Sequence, residues 1–450
     1  MSKKLPQLAD SAAPGLKAKR KRTAQAASEL LAKVQGEPSA ISVKTARVRP
    51  KKAKSLVKKA IKRVLKVAAP KVKTAAKKSP KRASEKPQRV PVNLSVLRQR
   101  IDQIDVQIQS LICERARYAR RVGQVKGPLK AAIDYYRPER ESQVLRMVVE
   151  RNRGPLSNQE LVRVFREIMS ACLAQQNKLK IAFLGPEGTF SQAAVQKHFG
   201  QSVQALPMAA LDDVFQAVDE KDADFGVVPI ENSTEGSVHN AQDLLVSSRL
   251  KICGEIELRI EQHLMSASDS LLKIERVYSH QQSLGQCKMW LKKNLPRAEL
   301  IAVSSNAEAA RRARGVPEAA AIAPEAAASI YGLQILRRNV EDRADNRTRF
   351  IVLGRQLFEP SGHDKTSLLL AGKDEPGLLY QLLDPLARAG VSMTRIESRP
   401  MRTGRWEYAF FIDVHGHIKD EPLRIALGQM GHLVGQLKIL GSYPRAWSDV

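Results

Sequence analysis

Between residues 94 and 126, apolar side chains recur at Leu97, Ile101, Ile104, Ile108 and Leu111, three or four positions apart. That period returns each of them to one face and predicts a single long amphipathic helix that stops by Pro128. A second helix is expected from about Arg137, with Pro138 in its first turn, where a missing N–H leaves no bond unmade. A third should begin at Ser157, with Glu160 completing a capping box, and run to about Lys178. From 179 to 354 the pattern changes. Short β-like runs (KIAFLG, FGVVPI, LKICGEIEL, RVYSH, LIAVSS, AAIAP and RFIVLG) alternate with helical stretches. This predicts a largely parallel α/β domain, long enough to form two lobes about a cleft. Beyond residue 365, TSLLLAGK, SMTRIESRP, WEYAFFIDV and QLKILG read as strands. With helices at GLLYQLLDPLARAG and around 421–433, they make a βαββαβ order.

Residues 1–90 carry no comparable pattern and no aromatic residue. They hold 27 Lys and Arg against 4 Asp and Glu, which is +23 of the formal +29. The basic character therefore belongs to a tail and says little about the folded part. Its apolar surface is too small to offset ordering entropy, so disorder is expected, with a short basic helix between Pro50 and Pro70 at most. Three readings of the tail stay open: an arm that neutralises nucleic-acid phosphates, a solubilising extension, or a start assigned too early. Cys113, Cys172, Cys253 and Cys287 form no CxxC pair, which fits a reducing cytoplasm. No run approaches the ~20 apolar residues of a spanning helix, so no membrane partner is expected. The N-terminus lacks the apolar core of a secretory signal, although its basic, Ala/Ser-rich character is somewhat like a transit peptide. The expected organisation is a tail (1–90), a helical segment (91–178), an α/β domain (179–355) and a βαββαβ domain (365–445).

Candidate chemistry lies in two places. On the long helix, Arg115 and Lys126 are about 16 Å apart along the axis at 1.5 Å per residue and return to nearly one face, where they can grip a small anion. Arg98 is roughly 25 Å from Arg115 and can join that site only from a second, antiparallel chain. Ordinary surface cations on a bundle would show the same spacing. In the α/β segment, polar residues cluster where strands end. The glycine loop of FLGPEGTFSQAA opens a helix; VVPIENSTEG offers Glu231, Asn232 and Ser233; YSHQQSLGQC offers Ser279, His280, Gln282 and Gln286; NRTRFIVLG sets Thr348 between Arg347 and Arg349. Each alone is also what a cap or turn requires.

The run LRQRIDQIDVQIQSLICERARYARRVGQVKG, followed by YRPERESQVL and EIMSACLAQQ, resembles the all-helical chorismate mutase domain. The resemblance places carboxylate-binding arginines at Arg98 (from a partner chain), Arg115 and Arg140. Donors to the ether oxygen fall at Lys126 and Gln176, and the contact to the substrate hydroxyl at Glu141. A Claisen rearrangement needs no nucleophile, only a folded dicarboxylate and donors aimed at the oxygen that gains charge. The strand-end clusters, in their order, resemble prephenate dehydratase. That implies Asn232, Ser279, Gln286 and Thr348 on the substrate, with Thr348 helping the ring hydroxyl leave as CO2 departs. Arg347 or Arg349 would then meet the dicarboxylate, and no metal or redox cofactor is implied. The last segment resembles an ACT domain of the dehydratase type through Glu397, Ser398, Arg399 and Pro400. With Gly377 and Leu378, these residues imply phenylalanine bound between two such domains. Arg137, Cys172, Gln281 and the Gly377-Leu378-Leu379-Tyr380 loop depart from the usual family residues. The resemblance implies chorismate and prephenate as substrates and a homodimer or larger assembly. Two rivals remain: a helical segment that only dimerises, and a nucleic-acid-associated protein working through its tail.

Overall fold

The computed structural model describes residues 93–126, 136–373, 375–400 and 407–446; the basic tail and its suggested helix at 50–70 lie outside the described residues. The helical segment forms as its periodicity requires. Helix α1 is Leu94–Lys126 and α2 is Pro138–Arg151, with Pro138 in the first turn. In α3, Asn158–Ala174, the Ser157 hydroxyl accepts the Glu160 N–H (3.2 Å) while the Glu160 carboxylate accepts the Ser157 N–H (2.9 Å). It ends a turn short of Lys178, because the chain must unwind to bury Leu179 and enter a strand at Lys180.

The α/β segment forms two sheets. The first combines β1 (Lys180–Leu184), β2 (Gln204–Met208), β3 (Phe225–Asn232), β4 (Gly236–Ser237), β5 (Lys251–Arg259) and β11 (Arg347–Gly354), in the order β2-β1-β3-β11-β5 with β4 beside β3. The second combines β6 (His263–Ser266), β7 (Arg276–His280), β8 (Glu299–Val303), β9 (Ala319–Ala323) and β10 (Gln334–Arg337), in the order β10-β6-β9-β7-β8. The expectation of a largely parallel fold needs correction. The pairs β1–β2, β1–β3, β7–β8 and β7–β9 are parallel; β11 with β3 and β5, β3 with β4, and β6 with β9 and β10 are antiparallel. The chain leaves the first lobe after β5 and returns as β11, which slots between β3 and β5 and runs against both. Alternation of apolar residues reports which faces are buried, not which way a neighbour runs.

The first sheet is covered on both faces, and its residues sort by parity. Ile181, Phe183, Phe225, Val227, Phe350 and Val352 face α4 (Phe190–Phe199), and Tyr136 of the helical segment packs among them, 5.2 Å from the Phe225 ring. Ala182, Val228, Ile351 and Leu353 face the other way, onto a core shared with the C-terminal domain.

That domain runs β12 (Asp364–Lys373), α11 (Leu378–Arg388), β13 (Met393–Pro400), β14 (Glu407–His415), α12 (Glu421–Gly431) and β15 (Gln436–Pro444), the expected βαββαβ order. Its sheet, ordered β13-β14-β12-β15, buries Leu368, Leu370, Ile412 and Val414 under α11 and α12. The opposite face lays Leu369, Phe411, Leu440 and Tyr443 against Leu245, Ile252 and Leu353 of the first lobe. Strand β15 crosses β5 so closely that a Cβ on Gly441 would stand 2.0 Å from the Ile252 carbonyl oxygen, so this position requires glycine.

Candidate active site

A cavity of about 430 Å³ opens between the two lobes. From the first lobe come Thr189, which caps α4, and Asn232 and Thr348 at adjoining strand ends. From the second come Ser283 and Gln286 of α7 (Gln281–Gln286), together with Ser305 and Asn306, the cap and first residue of α9 (Asn306–Ala313). Gln262 lines it where the chain crosses between lobes. Its described lining contains no Lys, Arg, Asp or Glu. The N-termini of α4 and α9 open onto the cavity instead, and their free N–H groups favour an anion.

A chain of neutral hydrogen bonds fixes the polarity of this site. The Asn232 Oδ1 atom accepts the backbone N–H groups of Thr234 (3.0 Å) and Glu235 (3.1 Å) and the Thr234 hydroxyl (2.6 Å). Its Nδ2 must then face the other way, where it donates to Thr348 Oγ1 (2.8 Å) and Asn346 Oδ1 (3.0 Å). The Asn346 Nδ2 in turn donates to Gln286 Oε1 (3.0 Å). Because Thr348 Oγ1 accepts from Asn232, its own hydrogen is left to point at a ligand. Asn232 and Thr348 are buried, so both groups are held rather than solvated.

In the helical segment, Arg98 and Arg115 stand exposed on α1, and Arg140 is exposed on α2. The Lys126 side chain lies outside the described residues. Gln176 packs on the last turns of α1: a Cβ on Gly123 would meet its Cγ at 3.1 Å, and its Oε1 is buried without a partner. Glu141 turns inward to Arg166 (3.3 Å), and burial raises its pKa against the pull of that arginine. The apolar stripe of α1 is uncovered, with Ile101 56% and Leu111 64% exposed.

Residues 97–177 match the chorismate mutase type II family, 181–357 the prephenate dehydratase family and 366–429 the ACT domain. The bifunctional chorismate mutase/prephenate dehydratase of Stutzerimonas stutzeri is 50% identical over 357 residues, 78% of this chain and 98% of that protein. The protein of the same name from Pseudomonas aeruginosa is 49% identical over 358 residues, again 78% of this chain and 98% of that one. This chain belongs to that family. Among solved structures, a prephenate dehydratase from Arthrobacter aurescens in complex with L-Phe is similar, with a TM-score of 0.55 and 34% identity over 59% of this chain and 90% of that one.

Within this family frame, several expected contacts are relocated. Thr348, Asn232 and Gln286 do line the dehydratase cleft. Arg349, one residue along the strand from Thr348, points to the opposite face and is held by Asp413 (2.6 Å), Glu255 (3.0 Å) and Tyr443 (3.1 Å). Arg347 is exposed, and neither arginine lines the cavity. Glu231 likewise turns away from Asn232, toward Arg395 (3.1 Å). Ser233 accepts the Arg347 N–H (2.9 Å), which makes it a loop tie. Ser279 is fully buried behind the cleft, donating to the Ile322 carbonyl (2.8 Å). The residues missed are Gln262, Ser283, Asn306 and Asn346. Asn306 follows a capping serine, so its sequence signal is that of any helix start.

In the ACT domain, β13 alternates. Glu397 accepts from Gln242 (2.6 Å) and also bonds Arg395, while Arg399 donates to the His239 carbonyl (2.8 Å) and pairs with Asp243 (2.8 Å). In this chain these two expected effector residues dock the ACT domain on α6 (His239–Ser247) of the dehydratase. Ser398 and Pro400 alternate with them and stay exposed. Gly377, at φ 85°, caps α11, and Leu378 packs over Gly372.

Proposed function

We propose that this polypeptide catalyses two consecutive reactions, chorismate to prephenate in the helical segment and prephenate to phenylpyruvate in the cleft. Phenylalanine acts as the feedback ligand of the ACT domain. The observation that carries the second reaction is the Asn232–Thr348 hydrogen bond, which frees the threonine proton for a departing hydroxyl. As the ring carboxylate leaves as CO2, its bonding electrons move into the ring and expel the hydroxyl, which takes up one proton and departs as water. Thr348 donates to that oxygen as it gains charge, and aromatisation supplies the driving force. The N-termini of α4 and α9 meet the carboxylates, in place of the arginines the sequence suggested.

The mutase works as a homodimer. Arg115, Lys126, Arg140 and Gln176 come from one chain and Arg98 from the other, with the bare stripe of α1 buried between them. Glu141 contributes the hydroxyl contact once the second chain completes the site. Phenylalanine as the ligand has support in the L-Phe complex of the similar dehydratase, and a seat between two ACT domains in β13, an edge strand whose Ser398 and Pro400 are exposed. Among the described residues no helix is long and apolar enough to cross a membrane; the proposed location is the cytoplasm, where both substrates are soluble anions.

Purified protein given chorismate should release both prephenate and phenylpyruvate, with phenylalanine slowing the second step. Arg115→Ala is expected to abolish mutase turnover while prephenate supplied directly is still consumed. Mutase turnover at the wild-type level in that variant would reduce the helical segment to a dimeriser.

A further inference from the structure

Gln262 is the residue of the cleft whose bonding is almost complete but for one atom. It is 1% exposed and sits between β5 and β6, where the chain first passes from one lobe to the other. Its backbone N–H donates to Glu341 (2.9 Å), and its carbonyl accepts the Val340 N–H (2.8 Å). Its Nε2 donates to Ser283 Oγ (2.9 Å) and to Gln286 Oε1 (3.3 Å). Its Oε1 is buried and has no partner.

The orientation of this amide follows from the same relay that orients Thr348. Gln286 Oε1 already accepts from Asn346, so Gln262 must present its NH2 there; a flipped amide would set two acceptors face to face. Backbone N–H groups anchor the relay at Asn232, and its two ends have opposite polarity. One end offers the Thr348 hydrogen, the other the Gln262 carbonyl oxygen, and both residues line one cavity. A buried acceptor without a donor is destabilising unless a ligand or water supplies one.

We infer that Gln262 is a further catalytic residue of the dehydratase, accepting the hydrogen of the ring hydroxyl that Thr348 helps to expel. The assignment rests on the dehydratase reading above. Dianionic prephenate has a single hydrogen-bond donor, that hydroxyl, so it alone can satisfy Oε1. Held this way, the hydroxyl turns a lone pair toward Thr348. As its bond to carbon breaks, the oxygen takes up one proton from solvent, relayed through the Thr348 hydroxyl, and the water so formed is a stronger donor than the alcohol it replaces. The Gln262 bond therefore tightens in the transition state and should appear in kcat more than in KM.

The test uses the full chain with Gln262→Met, which keeps the volume without an acceptor, and Gln262→His, which offers one donor and one acceptor. Gln262→Met is expected to lower the dehydratase kcat about 10- to 100-fold with little change in KM, and Gln262→His to recover most of the loss. Inhibition by phenylpyruvate, which has no ring hydroxyl, should be unchanged in both, and mutase turnover of the same samples reports that the chain is folded. A Met variant within twofold of wild type, or one that loses product binding in parallel, would overturn the assignment. If the Met variant does not fold, the His variant decides: a kcat reduced as far as loss of the acceptor predicts, with product inhibition intact, would also overturn it. A wild-type chain that leaves prephenate intact would instead remove the dehydratase reading, and this inference with it.

Discussion

Threonine is not an acid in the working range of an enzyme, so what makes Thr348 useful is the direction of its hydrogen rather than its pKa. Asn232 occupies the lone pair, and Asn232 is itself oriented by two backbone N–H groups. Thr348→Val should therefore lower the dehydratase kcat about 100-fold or more, while Thr348→Ser stays within about tenfold. Steady-state turnover of prephenate measures both, and a valine variant at a tenth of wild-type rate would remove the hydroxyl from the mechanism. His198 makes a separate prediction about stability. Its ring is half-buried, packed edge-on against Phe199 and bonded to the Tyr136 hydroxyl (3.0 Å); desolvation, helped by Arg166, pushes its pKa down to about 3. The folded form then stays neutral where the unfolded chain, near its ordinary value of about 6.5, takes up a proton. Stability from this residue is complete above about pH 6.5 and is lost as pH falls toward 3, by about 2 kcal/mol between pH 6.5 and 5. Urea unfolding at those two pH values should show the loss, and His198→Gln should flatten it.

At the scale of elements, α1 is the clearest case of an apolar face left uncovered among the described residues. Its 33 residues extend about 50 Å at 1.5 Å per residue, with an apolar stripe that the other described residues leave bare. The helix itself was legible from its period; what covers it was not. If Arg98 serves the partner's site, Arg98→Ala and Arg115→Ala should each be inactive as mutases. Half of the dimers formed from an equal mixture would then be mixed, each with one intact site, so co-refolding should restore about a quarter of wild-type activity. Mixtures with no recovered activity would place both arginines within one chain's site, or outside it. Strand elements behave differently. The seven β-like runs of the α/β segment all became strands, but β2, β4, β6 and β10 were missed. Strands β4, β6 and β10 have two to four residues, too brief for alternation to register; β2 is as long as β1 but is an edge strand interrupted by Pro207.

Over the whole molecule, the cleft and the ACT domain are joined through alternate residues of two strands. On β11, Thr348 faces the cleft and Arg349 faces Asp413; on β3, Asn232 faces the cleft and Glu231 faces Arg395. Burial would lower the Arg349 pKa, yet Tyr443, Asp413 and Glu255 together raise it. Burial likewise opposes ionisation of Asp413, but Arg349 and Ser367 hold its pKa below the usual carboxylate range. Asp413→Asn leaves a buried guanidinium short of a partner and should destabilise the chain by about 3 kcal/mol. Denaturant unfolding measures that, and titration of dehydratase activity with phenylalanine in the same variant should show a weakened response. An unchanged midpoint in both would mean that the network only fills space. The sequence by itself determined the three helices of the mutase segment, the βαββαβ element order of the ACT domain and the residue types able to handle a dicarboxylic acid. Those follow from period, caps and local chemistry, which neighbouring residues decide. Only the tertiary structure decided which member of each pair faces the cleft, that Arg349 serves the ACT interface, and that Gln262 keeps an acceptor free. Side-chain partners 21 to 116 residues away along the chain settle those choices, and no local pattern carries that information.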